Sequence, residues 1–434
     1  MSSVRRLVIL IAFSLAACSE PEVLLEGERL DVDGNPIKVQ SEDRSVPLSL
    51  PRASVNPDWT HAGGNVRHQL SNLAVDRELN LAWSVDIGEG NSRRFRIAAD
   101  PVVSGGRIFV MDSRSLVSAF STSGELIWST GITPPGDRSD EATGGGLAVS
   151  GNTLYVTSGF GTLTALDATS GAVRWSHDFD AAATGAPTVS DGVVYALTSN
   201  ATGWAIDART GRILWQVFGA TASQGIAGGG PSPAVAGSLV VFPFSSGQMV
   251  AAVAGEGSQT WAASVAGARL GRGFSTVTDL TGGPVVDGNT IYAASHAGRA
   301  GAFDATTGQN LWRAEEGTSG QIWAAGNALF FVTDENRLIR LDAATGETVW
   351  ARSLPFFTRS KIKRRKATFV HYGPVMANGQ LMVVSDDGML RRFDPVSGAM
   401  TGQQELPDGA ARNPVIAGGA FYVVTENGRL HAFR

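Results

Sequence analysis

The chain has 434 residues, 17% of them charged, and a formal net charge of −5. The excess of acidic residues argues against nucleic acid as a partner. The low charged fraction leaves ample apolar sequence for a core, and 53 glycines fit a chain with many tight turns.

The N-terminus has the pattern of an export signal. Arg5 and Arg6 precede an apolar stretch, Leu7–Ala17, that is too short to cross a bilayer as a helix. The stretch ends in Leu-Ala-Ala followed by Cys18, which resembles a bacterial lipobox, and Cys18 is the only cysteine. We therefore predict a lipoprotein signal peptide over residues 1–17 and lipid attachment at Cys18. Ser19, in place of aspartate, favours the outer membrane.

A polar, proline-containing segment without repeats follows, and we predict that residues 18–56 form the lipidated N-terminus and a flexible tether. The remaining residues, 57–434, contain one short phrase many times. It reads LTALDATSGAVRW at Leu163–Trp175, AGAFDATTGQNLW at Ala300–Trp312 and LIRLDAATGETVW at Leu338–Trp350. Repetition with a period of about 40–50 residues is typical of propellers and repeat arrays.

Each repeat contains the signals of four antiparallel strands. Alternating apolar residues such as Leu163–Leu166 indicate a half-buried strand. Asp167 can accept hydrogen bonds from the amides that follow it, and Gly171 suits a turn position with positive φ. Trp175, on the next strand, can fill space between sheets. A second hairpin precedes each phrase, for example PVVSGGRIFVMDS at Pro101–Ser113. Each repeat is thus one propeller blade.

The aligned tryptophans give the number of blades. Gly402 stands at the eighth position, after the seven tryptophans Trp83, Trp128, Trp175, Trp215, Trp261, Trp312 and Trp350. Trp83 has no three strands before it, and the last repeat, Pro414–Phe433, lacks a fourth strand. The sequence predicts an all-β fold, an eight-bladed propeller of four-stranded antiparallel blades. We predict that Leu81–Val85 pairs with the strand at Leu430–Phe433. The N- and C-terminal strands then share one blade and leave no exposed edge there.

The sequence offers little support for catalysis or for a resident cofactor. The repeated aspartates occupy one turn position in each blade, which marks them as turn formers. The six histidines form no metal-binding pair, and the glycine runs Gly144–Gly146 and Gly228–Gly230 lack the lysine of a phosphate loop, so we assign those runs to loop flexibility. We predict no catalytic residue, no metal site and no cofactor.

Two connections stand out as candidate contact sites. Arg269–Gly283 is a long connection before the hairpin that starts at Pro284, and extra length on a propeller is often placed on one face, where partners bind. Arg359–Lys366 carries six positive charges in eight residues. Its cations include Lys361, Lys363, Arg364, Arg365 and Lys366. This loop is either a solvated surface loop or a contact with an acidic protein surface or lipid head groups.

Lipobox, tether and eight blades of this phrase together resemble the BamB family, the propeller lipoproteins of the outer-membrane β-barrel assembly machine. The resemblance covers residues 57–434. It implies a non-enzymatic scaffold that binds the periplasmic POTRA domains of BamA and helps unfolded barrel precursors to fold and insert.

The resemblance also implies which residues contact BamA. Asp279 occupies the family's acidic position, and Thr281 stands where enteric members have a second acid. The second contact loop corresponds to Gln224–Gly230, in which Ile226 is the bulky apolar residue and the family's arginine is absent. Arg269 and Arg272 are our candidates to replace that arginine.

Two other function classes remain open. The blade phrase also resembles that of quinoprotein dehydrogenases, although their adjacent cysteine pair has no counterpart here. A periplasmic propeller that binds cell-wall polysaccharide or another envelope complex is the other class. For sugar binding, the exposed aromatic candidates Phe160, Phe274 and Trp323 fall in different blades.

Overall fold

The computed structural model describes residues 43–44, 46–183, 185–221, 230–265, 280, 282–296, 298–318 and 320–434. The predicted signal peptide, Cys18 and most of the predicted tether lie outside these residues. Over the described ranges, no helix is long and apolar enough to cross a membrane.

Thirty-two strands form eight four-stranded antiparallel sheets in the described chain, which confirms the predicted eight-bladed propeller. The first strand, β1 (Leu81–Asp86), is followed by blade 1, with β2 (Val102–Ser104), β3 (Arg107–Met111), β4 (Leu116–Ser121) and β5 (Leu126–Gly131). Blade 2 contains β6 (Gly145–Ser150), β7 (Thr153–Ser158), β8 (Thr162–Asp167) and β9 (Val173–Asp178). Blade 3 contains β10 (Thr188–Ser190), β11 (Val193–Thr198), β12 (Thr202–Asp207) and β13 (Ile213–Phe218). Blade 4 contains β14 (Ala234–Ala236), β15 (Leu239–Pro243), β16 (Gln248–Val253) and β17 (Gln259–Ser264).

The second half of the ring repeats this arrangement. Blade 5 contains β18 (Val285–Asp287), β19 (Thr290–Ser295), β20 (Arg299–Asp304) and β21 (Asn310–Ala314). Blade 6 contains β22 (Trp323–Ala325), β23 (Ala328–Val332), β24 (Arg337–Asp342) and β25 (Thr348–Ser353). Blade 7 contains β26 (His371–Ala377), β27 (Gln380–Ser385), β28 (Met389–Phe393) and β29 (Met400–Glu405), and blade 8 contains β30 (Val415–Ala417), β31 (Ala420–Thr425) and β32 (Arg429–Phe433). A 3-10 turn, Ile362–Arg364, lies between blades 6 and 7.

Blade 8 is completed by β1, as the sequence predicts. Strand β1 pairs antiparallel with β32, with Leu81 opposite Phe433 and Val85 opposite Leu430. Backbone bonds of 2.9 Å in both directions between Asn80 and Arg434 extend the pairing to the chain end. The two termini of the propeller therefore close the ring by hydrogen bonds.

The repeated aspartate, glycine and tryptophan link neighbouring blades. Asp167 accepts hydrogen bonds of 2.9 Å from the amides of Thr169 and Ser170, and Gly171 has a φ of +73°. A Cβ on Gly171 would lie 2.5 Å from the ring of Trp128, which belongs to the preceding blade. Each repeat tryptophan lies against the turn of the next blade and donates its indole N–H to a backbone carbonyl there at 2.9–3.2 Å.

The glycine at the eighth tryptophan position has a structural reason. Gly402 lies on β29, the outer strand of blade 7, so a tryptophan there would face the turn between β32 and β1. That turn does not exist, because these two strands come from opposite ends of the propeller. A different bond joins the two blades, from the Gln404 amide to the Leu79 carbonyl at 2.7 Å.

Candidate functional site

The strand order defines two faces of the ring. The connections from the fourth strand of one blade to the first strand of the next open on one face, which we call the mouth face. The turns that contain the repeated aspartates lie on the opposite face, which we call the turn face.

Residues 56–76, which we call the axial segment, contact the innermost strand or the turn that follows it in all eight blades. The sequence assigns residues 57–434 to the propeller but predicts no role for this segment, because it contains no repeat. The contacts in blade order are Trp59 with Val103, Thr60 with Val149, His61 with Val189, Val66 with Val235, Arg67 with Val286, Ser71 with Trp323, Leu73 with Met376, and Asp76 with Gly419. The segment therefore closes the axis of the propeller toward the turn face.

Aromatic packing holds the same segment in place. Trp59 is 3% exposed and stacks on Trp323, with ring centroids 6.3 Å apart. Trp323 is itself buried, so its expected exposure is wrong: the indole is part of the core and donates to the Ser71 carbonyl at 2.9 Å.

Two buried histidines, both neutral, bind the axial segment to neighbouring blades by hydrogen bonds. His61 Nε2 accepts the Val189 amide at 3.1 Å, and His68 Nδ1 donates to the Pro284 carbonyl at 2.9 Å. Burial lowers the pKa of His61 to about 3 and the pKa of His68 to about 4, and the charge of His68 further lowers that of His61. Both side chains are consequently uncharged at neutral pH.

A cavity of about 210 Å³ opens at the mouth face above the axial segment. Ala62 contributes to it from the segment, and Asp100, Tyr372, Arg412 and Asn413 supply polar groups. Arg412 Nε donates to Asp100 at 2.8 Å, and the Asn413 amide donates to the other oxygen of Asp100 at 3.0 Å. The pair leaves Asp100, the single carboxylate among the described lining residues, already engaged.

The glycine-rich wall of this cavity comes from a strand. Gly145 and Gly146 belong to β6, and a Cβ on either would lie within about 2.5 Å of neighbouring atoms, the Thr157 carbonyl for Gly145 and Ala186 for Gly146. Their assignment to loop flexibility is therefore wrong. Gly145 has a φ of +100° and lies too close to its partner strand β7 for a side chain, and Gly146 lies too close to Ala186, which precedes blade 3.

The two predicted BamA contact loops connect consecutive blades. One runs from β13 to β14 and the other from β17 to β18, so both begin and end on the mouth face. The candidate side chains lie outside the described residues: Ile226, Arg269, Arg272, Asp279 and Thr281. Leu280, which follows Asp279, is buried and forms an antiparallel bridge with Ser295.

The predicted basic contact lies on the same face, two blade boundaries further along the ring. It is the tip of an ordered hairpin between blades 6 and 7, and the described side chains of residues 359–366 are exposed. Across the described ranges, no group of three or more His, Cys, Asp or Glu residues could hold a metal ion.

Comparisons with known proteins agree on one family. The family model described as outer membrane protein assembly factor BamB matches residues 113–352, more than half of the chain. The protein of that name from Escherichia coli strain K12 is 29% identical over 356 residues, which covers 81% of this chain and 88% of the relative. The one from Legionella pneumophila strain Paris is 27% identical over 203 residues, and the alignment spans about half of its length (49%) and 46% of this chain.

Solved structures show the same fold at lower identity. BamB from Moraxella catarrhalis matches with a TM-score of 0.68 and 18% identity, over 82% of this chain and 99% of that one. A europium-containing methanol dehydrogenase matches with a TM-score of 0.66 and 15% identity, over 87% of this chain and 98% of that one. These two similarities concern the fold alone, and the family assignment rests on the family model. The chain belongs to the family of the outer membrane protein assembly factor BamB.

Proposed function

We propose that this protein is a non-enzymatic scaffold of the outer-membrane protein assembly complex. In this proposal it is held at the periplasmic face of the outer membrane by lipid on Cys18, binds the POTRA domains of BamA, and aids the insertion of unfolded β-barrel precursors. The observation that carries the proposal is the family match over residues 113–352, which includes both predicted contact loops.

The architecture supports a scaffold because it supplies rigid attachment points. The loop between blades 3 and 4 leaves the described chain after Thr221 and returns at Gly230, which bridges to Gly185. The loop between blades 4 and 5 returns at Leu280 on the next blade. The ring therefore fixes where each loop begins and ends on the mouth face, and binding residues are often placed on loops that a rigid scaffold positions.

Calorimetry against the soluble POTRA region of BamA tests the proposal. Asp279→Lys should weaken binding by about 1–3 kcal/mol if its carboxylate is paired at the interface. Arg272→Ser and Ile226→Ser should also weaken it, because charged and bulky side chains are the usual anchors of an interface. Asp191→Lys, on an exposed hairpin turn of the opposite face, is the matched control. Parental affinity in the Asp279 and Arg272 variants would show that the contact lies elsewhere.

The dehydrogenase alternative lacks its donor set in the mouth cavity. A calcium or lanthanide ion prefers several carboxylate oxygens. The described lining residues offer the carboxylate of Asp100, which already binds Arg412 and Asn413. These residues do not fit a quinone-bound metal, and we derive no reaction at this cavity.

A further inference from the structure

The basic hairpin between blades 6 and 7 has a defined structure. Residues 354–370, which we call the basic arm, leave the end of β25 and return to β26. Backbone bonds join the two sides, with Thr358 N–H donating to Ala367 O at 3.0 Å and Phe369 N–H donating to Phe356 O at 2.8 Å. At its base the Asn336 amide donates to the Phe369 carbonyl at 2.8 Å. The arm is therefore a projecting hairpin attached to blade 6.

Its tip concentrates positive charge. The arm holds six Lys and Arg residues and no Asp or Glu, in a chain of net charge −5, so the other residues sum to −11. Arg365 donates to the Ser360 carbonyl within the arm, and none of the six cations forms a salt bridge with a described acid. The charge is thus presented to solvent as a local cationic surface on an acidic protein.

Apolar side chains accompany the cations. Phe356 and Phe357 are 37% and 40% exposed with ring centroids 4.7 Å apart, and Val370 is 42% exposed. The Arg365 guanidinium lies 4.9 Å from the Phe357 ring centroid. Exposed aromatic rings beside long basic side chains suit the boundary between lipid head groups and acyl chains, where the rings enter the apolar layer and the cations meet phosphate.

The chain that leads to the predicted lipid anchor leaves the propeller beside this arm. Arg352, two residues before the arm, donates to Asp43 at 2.8 Å, and the Arg44 amide donates to Val349 O at 2.9 Å on the same strand. Strand β25 runs toward the mouth face, so Arg352 is nearer to the arm than Val349 is. Asp43, which binds Arg352, is therefore nearer to the arm than Arg44, which binds Val349. The 25 residues from Cys18 to Asp43 can span at most about 90 Å, so an anchored Cys18 leaves the arm within reach of the bilayer.

We propose that the basic arm is a second membrane contact, one that binds the anionic phospholipid surface to which Cys18 is anchored. A cationic patch is an established kind of second membrane signal beside a lipid anchor. The contact goes beyond the scaffold role and does not require BamA, because the arm lies two blade boundaries away from the nearer proposed BamA loop. An anionic membrane is favoured over an acidic protein surface, because the cations have no fixed pairing geometry and lie beside exposed phenyl rings.

Vesicle flotation of residues 19–434, which contain every propeller strand but lack the lipid, tests the contact directly. We expect binding to phosphatidylcholine vesicles that contain phosphatidylglycerol and much weaker binding to phosphatidylcholine alone. Each cation near an anionic surface is worth about fivefold in partition. Replacement of Lys363, Arg364, Arg365 and Lys366 by serine should therefore lower partition by at least about tenfold, and raised salt should remove most of the difference.

Two further variants separate a membrane contact from general charge. The control replaces Arg77, Arg209, Arg212 and Arg313, four exposed arginines away from the arm, by serine and should keep parental partition. Phe356→Ser with Phe357→Ser should weaken binding in a way that salt does not change. Equal binding to both vesicle types, an equal loss in the control, or no effect of the phenylalanine pair would overturn the proposal. BamA affinity is measured separately, so failure here leaves the scaffold proposal standing.

Discussion

Acidification should loosen the axial segment through His61 and His68. Both histidines are about 3% exposed, and their pKa values are about 3 and 4 in the folded protein against 6.5 for an ordinary histidine. The unfolded chain binds protons at these histidines where the folded chain does not. The free energy of unfolding therefore falls as the pH drops below about 6.5, and it continues to fall until the pH reaches the folded pKa values, about 4 for His68 and about 3 for His61. Above 6.5 neither state is protonated and these groups contribute no pH dependence.

The size of this effect follows from the shifts. At about pH 5 each histidine would lower the free energy of unfolding by roughly 2 kcal/mol. This pH is about 1.5 units below the pKa of a histidine in the unfolded chain, whereas the histidine in the folded chain remains neutral. The bonding geometry supports the direction. A proton on His61 Nε2 would remove its bond from Val189, and a proton on His68 Nε2 would be buried without a described partner.

Urea unfolding, followed by tryptophan fluorescence between about pH 5 and pH 7.5, measures the effect. The informative comparison is the double variant His61→Gln with His68→Asn, in which asparagine suits the positive φ of 55° at position 68. The variant should be less stable at neutral pH and lose less stability on acidification than the parent, by roughly 4 kcal/mol at about pH 5. An unchanged slope in the double variant would refute the reasoning, because the acid sensitivity would then come from carboxylates or from other histidines.

Three further outcomes are expected. Deletion of Arg429–Arg434 removes the partner of β1 and the buried Leu430 and Phe433, and should cost several kcal/mol by the area rule, so an unchanged melting temperature would contradict the ring closure. Cys18→Ala should abolish outer-membrane fractionation and leave an uncleaved or soluble protein, whereas unchanged fractionation would exclude lipid attachment at this residue. Purified protein supplied with pyrroloquinoline quinone and calcium should show no dye-linked oxidation of alcohols or sugars, and saturable oxidation abolished by a chelator would replace the scaffold proposal with an enzyme.

The blades were predictable because each one repeats the same local chemistry. Asp167 and Gly171 define a turn within five residues. Trp175 and its six equivalents in other repeats define the spacing of the blades. The closure by β1 followed from counting strands at the two ends. Nothing local marks the axial segment, since its partners lie on eight separate blades and its own sequence has no period. Likewise, the role of Gly146 could not be predicted, because the close approach of Ala186 from the next blade exists only in the assembled ring.

Residue-level function was less accessible for a different reason. An interface side chain is recognised by what it meets on a partner, and a connection such as Arg269–Gly283 carries no periodicity that could place its side chains. The basic arm was visible as a charge run, but its attachment to blade 6 involves Asn336, which lies on another connection of that blade.

The axial segment, with contacts to eight blades, ties the number of blades in the ring to one short sequence. Propellers built from similar repeats can in principle gain or lose a unit, because each blade contacts mainly its neighbours. Here a ninth blade would find no residue of 56–76 to bind, and a seven-bladed ring would leave one of those residues unpaired. The segment also precedes every blade along the chain, yet its contacts run from Val103 in blade 1 to Gly419 in blade 8. It can dock fully only after the last blade has formed, so folding should be slow and all-or-none, and duplication of a blade would have to be accompanied by a rewritten segment.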